Sequence, residues 1–236
     1  MDKSEKLLNL MDYSMFLNNT DNLKDNILSK SREISDFIFS NFCLFSNIHN
    51  ESFDITSLEF YLFKKGVFED SATHGGVNQI KNHPQLSKGK FYIHFPKNII
   101  NIDNKNHTFK IPQRFGIDIT CGSNENNIYG GILIKGIDNK DGSKSLLQVI
   151  RGKKSYNIKI KRENKNTTWL ECEKEKLEKI NMSNIFDSNN LIYLKEKNTI
   201  ISKLYSTTRI RIQNTNFKDY ELNFRVCNRK CATNGI

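Results

Sequence analysis

Apolar and polar residues alternate through several short runs of this chain, and the alternation predicts half-buried strands. In residues 57–63 (SLEFYLF), Leu58, Phe60 and Leu62 point one way, and Ser57, Glu59 and Tyr61 the other. His94 interrupts KFYIHF, Asp118 interrupts FGIDIT and Lys135 interrupts GGILIKGI in the same manner. An unpaired carboxylate costs several kcal/mol to bury. One such residue is normally an exposed outer-face position. Several, on runs that can neighbour one another, suggest a polar pocket cut into a sheet core.

Elsewhere the pattern changes period. Leu23, Ile27, Leu28, Ile34, Phe37 and Ile38 recur at helical spacing and predict a helix over about 22–45, with Thr20 or Asp21 as its cap. A short helix or arm is expected over about 5–18. Strands are expected near 52–63, 90–95, 115–121, 129–138, 145–151, 155–161, 208–213 and 220–227, separated by turn signals such as Gly75-Gly76 and 139–142. A charged helix is expected at about 171–182 and a short one near 197–204, with 96–114 as a long excursion. These elements predict an α+β fold: an N-terminal arm (1–21), then one domain (22–236) in which a helix packs on a curved, mostly antiparallel sheet or barrel.

Composition adds less. The chain has 236 residues, 37% hydrophobic, with a bias to Asn, Lys and Ile. Its 16 Phe and 8 Tyr are ample for a core. No apolar run reaches the roughly 18–20 residues that span a bilayer, and the N-terminus has no signal-peptide pattern. Five scattered cysteines read as reduced intracellular thiols. Cys227 and Cys231 lack a following His, so no metal site is expected. The expectation is a monomer in the cytoplasm, or in the nucleoid or nucleus with DNA, not secreted and without a membrane partner.

The net charge of +10 favours polyanion partners. Basic residues cluster at 151–165, which includes Arg151, Lys153 and Lys154, and again in the C-terminal run Arg209, Arg211, Arg225, Arg229 and Lys230. Lys110 and Arg114 lie among aromatics, as nucleic-acid grooves often require. Lys110, Arg114, Arg151, Lys153, Lys154 and Arg209 are the candidate DNA contacts. No phosphate-loop, HExxH or GxSxG motif is present.

The order of the motifs is informative as well. A helix precedes LEFY; a His precedes a Gly-rich turn; then come GKFYIH, GIDIT, GILIKGI and finally RIRI and YELNFRV. From about residue 30 to 230 this order resembles the alkyladenine (3-methyladenine) DNA glycosylase family, whose fold is shared with the C-terminal domain of methionyl-tRNA formyltransferase. The resemblance implies an enzyme that flips a modified base out of DNA and hydrolyses its N-glycosidic bond without cofactor or metal, leaving an abasic site. It places Glu59 at the catalytic carboxylate, Tyr61 and His94 at stacking positions, and His74 at a pocket His. Lys135 falls where an Arg places the water or a phosphate, and Arg211 lies on the strand that closes the water site.

The departures shift the expected substrate. Asp118 stands where the family usually has Asn; a carboxylate accepts hydrogen bonds and favours a base with an amino donor. Asp118 is also a candidate to share the catalytic work with Glu59. The long 96–114 excursion replaces a short intercalating hairpin, with Ile99, Ile100 and Phe109 as candidate wedges. The expectation is a polar pocket for a bulky or hypermodified base, such as a modified phage cytosine in antiviral defence, or an alkylated purine. Two alternatives are a non-catalytic basic nucleic-acid-binding module on the same fold and a weaker one, a metal-dependent nuclease using Glu59, Asp118 and His94.

Overall fold

The computed structural model describes residues 2–17, 22–94, 116–138, 140–141, 149–150, 152, 169–201, 203–209 and 220–226. Helices α1 (Lys3–Leu10), α2 (Ser14–Leu17) and α3 (Leu23–Asn41) open the chain. The strands are β1 (Phe42–Ser46), β2 (Glu51–Phe53), β3 (Ile55–Lys64), β4 (Phe68–Glu69), β5 (Lys88–His94), β6 (Gly116–Cys121), β7 (Tyr129–Ile137), β8 (Lys140–Asp141), β9 (Ile192–Glu196), β10 (Tyr205–Thr207) and β11 (Asn223–Arg225). A 3-10 turn at Pro84–Leu86 precedes β5, and helix α4 (Trp169–Ile180) precedes β9.

The larger sheet is antiparallel in the order β10-β11-β3-β7-β6-β5, with β4 on β3 and β8 on β7. Among the described residues it is an open sheet and does not close into a barrel. A smaller sheet, β2-β1-β9, lies beside it. The fold is therefore α+β. No helix among the described residues is long and apolar enough to cross a membrane.

The alternation read along β3 is realised in the packing. Leu58, Phe60 and Leu62 are fully buried, as are Ile132 of β7, Ile117 and Ile119 of β6, and Phe91 and Ile93 of β5. Together they form the apolar face on which α3 packs. From α3 come Ile27, Ile34, Ile38 and Phe39, with Ser31 and Ser35 keeping the contact close. The N-terminal arm joins this core rather than standing apart: Leu7, Met11, Tyr13 and Leu17 are buried in it, and the Tyr13 hydroxyl meets Ser31 Oγ at 2.9 Å.

Three expectations need correction. Helix α3 ends at Asn41, not near 45, because Phe42–Ser46 is buried on both faces and pairs with β2 and β9. The side chain of Asn41 closes the helix by donating to Phe37 O at 2.9 Å. Asn22, in the left-handed region, precedes its first turn without a side-chain cap bond; Thr20 and Asp21 lie outside the described residues. The helix expected near 197–204 does not form over the described residues there: the backbone is irregular and Ile200 is 97% exposed, so no apolar face exists to hold a helix. Residues 149–150 are helical rather than extended. The excursion at 96–114 and the strand expected at 155–161 lie outside the described residues.

Candidate functional site

The site is built on the second face of the large sheet. The antiparallel register pairs Asn223 with Glu59, Glu59 with Leu133, Leu133 with Asp118 and Asp118 with Tyr92. Paired residues share a face, so these five form one row across β11, β3, β7, β6 and β5. Alternation adds Tyr61, Lys135 and His94 to the same face. Six residues singled out from the sequence meet here: Glu59, Tyr61, Asp118, His94 and Lys135 from the strands, and His74 from the loop that follows β4.

Each acid has its own partners. Glu59 is 2% exposed. Its Oε2 takes a short hydrogen bond from the Lys135 ammonium, and its Oε1 accepts from the Tyr61 hydroxyl at 2.7 Å. Burial, then the Glu59 charge beside it, pushes the Tyr61 hydroxyl well above its ordinary value. Tyr61 therefore stays protonated and acts as a donor. Asp118 is fully buried. Its Oδ2 takes a short contact from His94 Nε2 and accepts from Gln85 Nε2 at 3.4 Å, whereas its Oδ1 has no hydrogen-bond partner among the described residues. Leu133 lies between the two acids in the row. Neighbouring strands are about 4.8 Å apart, so the acids sit about 10 Å apart at the backbone. They are two stations and not a touching carboxylate pair.

Rings form the rim. His74 and His94 lie 4.2 Å apart between centroids, Tyr92 and His94 4.9 Å, and His83 and Tyr92 5.2 Å. His74 Nδ1 is 3.3 Å from the Tyr92 hydroxyl. Burial, then Asp118, pushes the Tyr92 hydroxyl up to about 12. Burial, then neighbouring His94, lowers the His83 imidazole, which is therefore neutral near pH 7. Its Nδ1 is the acceptor for the backbone N–H of Gln85. The rim is the more open part of the site: the His94 and Lys135 side chains keep 12% and 15% of their surface, and His74 is exposed.

His83, Tyr92 and Gln85 were not anticipated from the sequence. Tyr92 carried a usable signal, because it alternates with Phe91 and Ile93 and so shares a face with His94. His83 and Gln85 sit in a polar loop that has no period to read.

Gly131 gives Asp118 its room. A Cβ there would stand 2.6 Å from Asp118 Oδ2 and 2.9 Å from Gln85 Nε2. Because His94 and Gln85 hold that carboxylate, Gly131→Ala should cost about 1–3 kcal/mol, the usual price of overpacking. It should also detach His94 from Asp118, visible as a shift of the His94 ring resonances by NMR.

Arg209 does not lie on an open face as a DNA contact. Its side chain is fully buried, donates to Asp70 at 2.5 and 3.3 Å and to Phe60 O at 3.2 Å, and lies 5.3 Å over the Tyr61 ring. A guanidinium held this way props Tyr61 and is not available to a phosphate. Lys110, Arg114, Arg151, Lys153, Lys154, Arg211, Ile99, Ile100 and Phe109 lie outside the described residues. Among the described residues no three His, Cys, Asp or Glu side chains are grouped as a metal ion would require. The chain matches no protein-family model, and no curated protein shows significant similarity to it.

Proposed function

We propose that this protein is a monofunctional DNA glycosylase that draws a modified base out of the helix and hydrolyses its N-glycosidic bond. The observation that carries the reading is the single sheet face that collects Glu59, Tyr61, His74, His94, Asp118 and Lys135 from four strands and a loop. In this reading Glu59 is the general base. Water oxygen bonds to C1′ of the sugar, the bond from C1′ to the base nitrogen breaks, and Glu59 takes a proton from the water. The electron pair leaves with the base, which is neutral if it was alkylated to a cation and otherwise takes up a proton.

A carboxylate offers about four lone-pair positions. Tyr61 and Lys135 use two, fix the plane of the group and leave others for water. The same negative charge stabilises oxocarbenium character on the sugar. The flat surfaces of His74, His94 and Tyr92 suit a stacked base. The vacant acceptor on Asp118 suits a base with an amino donor, such as a modified cytosine or an adenine.

A non-catalytic nucleic-acid-binding module is favoured by one observation: both acids are almost wholly buried, and Glu59 is paired. One experiment separates the readings. DNA carrying alkylated purines, and DNA carrying hydroxymethylated or glucosylated cytosine, are incubated with the protein in EDTA. Free base is measured by mass spectrometry and abasic sites by alkaline cleavage. Base release in EDTA from any of these substrates supports the glycosylase. Binding without release supports the module, and strand cleavage that EDTA abolishes supports a nuclease.

A further inference from the structure

A cavity of about 710 Å³ opens on the same sheet face beyond the acids, and no part of the chemistry above uses it. Phe63 is two residues beyond Tyr61 on β3, and Tyr129 is two residues before Gly131 on β7; both line the cavity. The two rings meet edge to face, 6.2 Å apart. The link to the site is direct: Tyr129 is 6.5 Å from the His83 ring, which packs on Tyr92.

The walls have one electrostatic character. Lys64, Lys65 and Lys81 line the cavity, accompanied by side-chain amides, and among the described residues no acidic residue lines it. Lys65 and Lys81 are exposed, and among the described residues neither pairs with a carboxylate. The acids nearest in sequence stay out: Glu69 accepts from Gly66 N–H at 2.7 Å, and Glu125 is not part of the lining. Gln79, Asn82 and Asn127 hold φ of 45°, 59° and 51°. Their walls are therefore tight turns, and asparagine tolerates that geometry. The exposed Lys65 and Lys81 ammonium groups beside neutral amide donors are what phosphodiester oxygens require.

We propose that this cavity seats the phosphate backbone of the nucleic-acid strand whose base enters the site at Glu59. Phe63 lies four residues from Glu59, about 13 Å along the strand at 3.3 Å per residue. In a stacked strand phosphates recur about every 3.4 Å along the helix axis, so the cavity lies within about four nucleotides of the base. The cavity thus holds flanking phosphates while the aromatic rim holds the base. The inference rests on reading the site as one that acts on nucleic acid, but its test does not need base release.

The test is equilibrium binding of fluorescein-labelled, unmodified 20-nucleotide DNA, duplex and single-stranded, from 50 to 200 mM salt. Wild type and K65Q/K81Q are compared by anisotropy. Each lost phosphate contact lowers the salt slope by about 0.9 for duplex and about 0.7 for a single strand. K65Q/K81Q is expected to lower it by about 1.8 on duplex, or about 1.4 on single strands, and to weaken binding at least tenfold at 50 mM salt. A wild-type slope and affinity in K65Q/K81Q overturn the proposal, as does a wild-type protein that binds neither DNA. If no modified base is ever released yet the slope falls as stated, the glycosylase reading fails and the backbone seat stands. Both lysines are exposed, so unchanged melting of K65Q/K81Q provides the folding control.

Discussion

Glu59→Gln is expected to lower base release by about 10³-fold while DNA affinity stays within twofold of wild type. Removal of a positioned general base costs between about 10² and 10⁴ in rate. Gln is nearly isosteric with Glu, so the Tyr61 hydroxyl can still donate to its oxygen, and the shape of the row Asn223–Glu59–Leu133–Asp118 is kept. What is lost is the negative charge. The amide cannot accept a proton from water, and it cannot stabilise positive charge on the sugar. The Lys135 ammonium, 15% exposed, then loses the Glu59 charge, so some loss of stability accompanies the change. Glu59→Gln with Lys135→Met removes the pair together. This double variant should regain the stability without regaining activity. Single-turnover base release, with melting temperatures measured alongside, checks both. Activity within tenfold of wild type in a folded Glu59→Gln protein would rule out the assigned chemistry.

The parts of this site that the sequence revealed share a cause. Glu59, Asp118, His94 and Lys135 each stand alone in an apolar run, so the two-residue period declares the face they occupy. The order of strands in space was not declared. Only the register shows that Glu59 and Asp118 both face Leu133, and so belong to one row while remaining apart. Strand β1 was hidden because Phe42–Phe45 is buried on both faces, which erases alternation and lets the helical period of α3 appear to continue. Ile200, Ile201 and Leu204 carry helix-like spacing, yet Ile200 is 97% exposed. Arg209 reads as surface charge by composition. Its buried partner Asp70 is 139 residues away, and neither position has a local signal that names the other.

That pair carries the second large effect. Asp70→Asn is expected to destabilise the protein by about 3–5 kcal/mol, because it strands a charge that has no access to water. Both side chains are fully buried. The substitution is chosen to isolate the charge: the Asn side-chain oxygen can still accept from Ala72 N–H, as Asp70 Oδ1 does at 3.1 Å, so the turn after β4 keeps its local bond. The guanidinium, still against Phe60 O and the Tyr61 ring, keeps its desolvation cost without the Asp70 carboxylate that offset it. Removing both charges should relieve the penalty. Asp70→Asn combined with Arg209→Met is predicted to be more stable than Asp70→Asn alone, since apolar replacement of a buried pair is often near neutral. Urea unfolding of the two single variants and the double variant gives the coupling energy directly. The site should register the same change. Arg209 props Tyr61, and Tyr61 orients Glu59, so Asp70→Asn should slow base release even under conditions where the protein is fully folded. A cost below about 1 kcal/mol in Asp70→Asn would mean that solvent reaches the pair, and the support assigned to Tyr61 would have to come from elsewhere in the sheet.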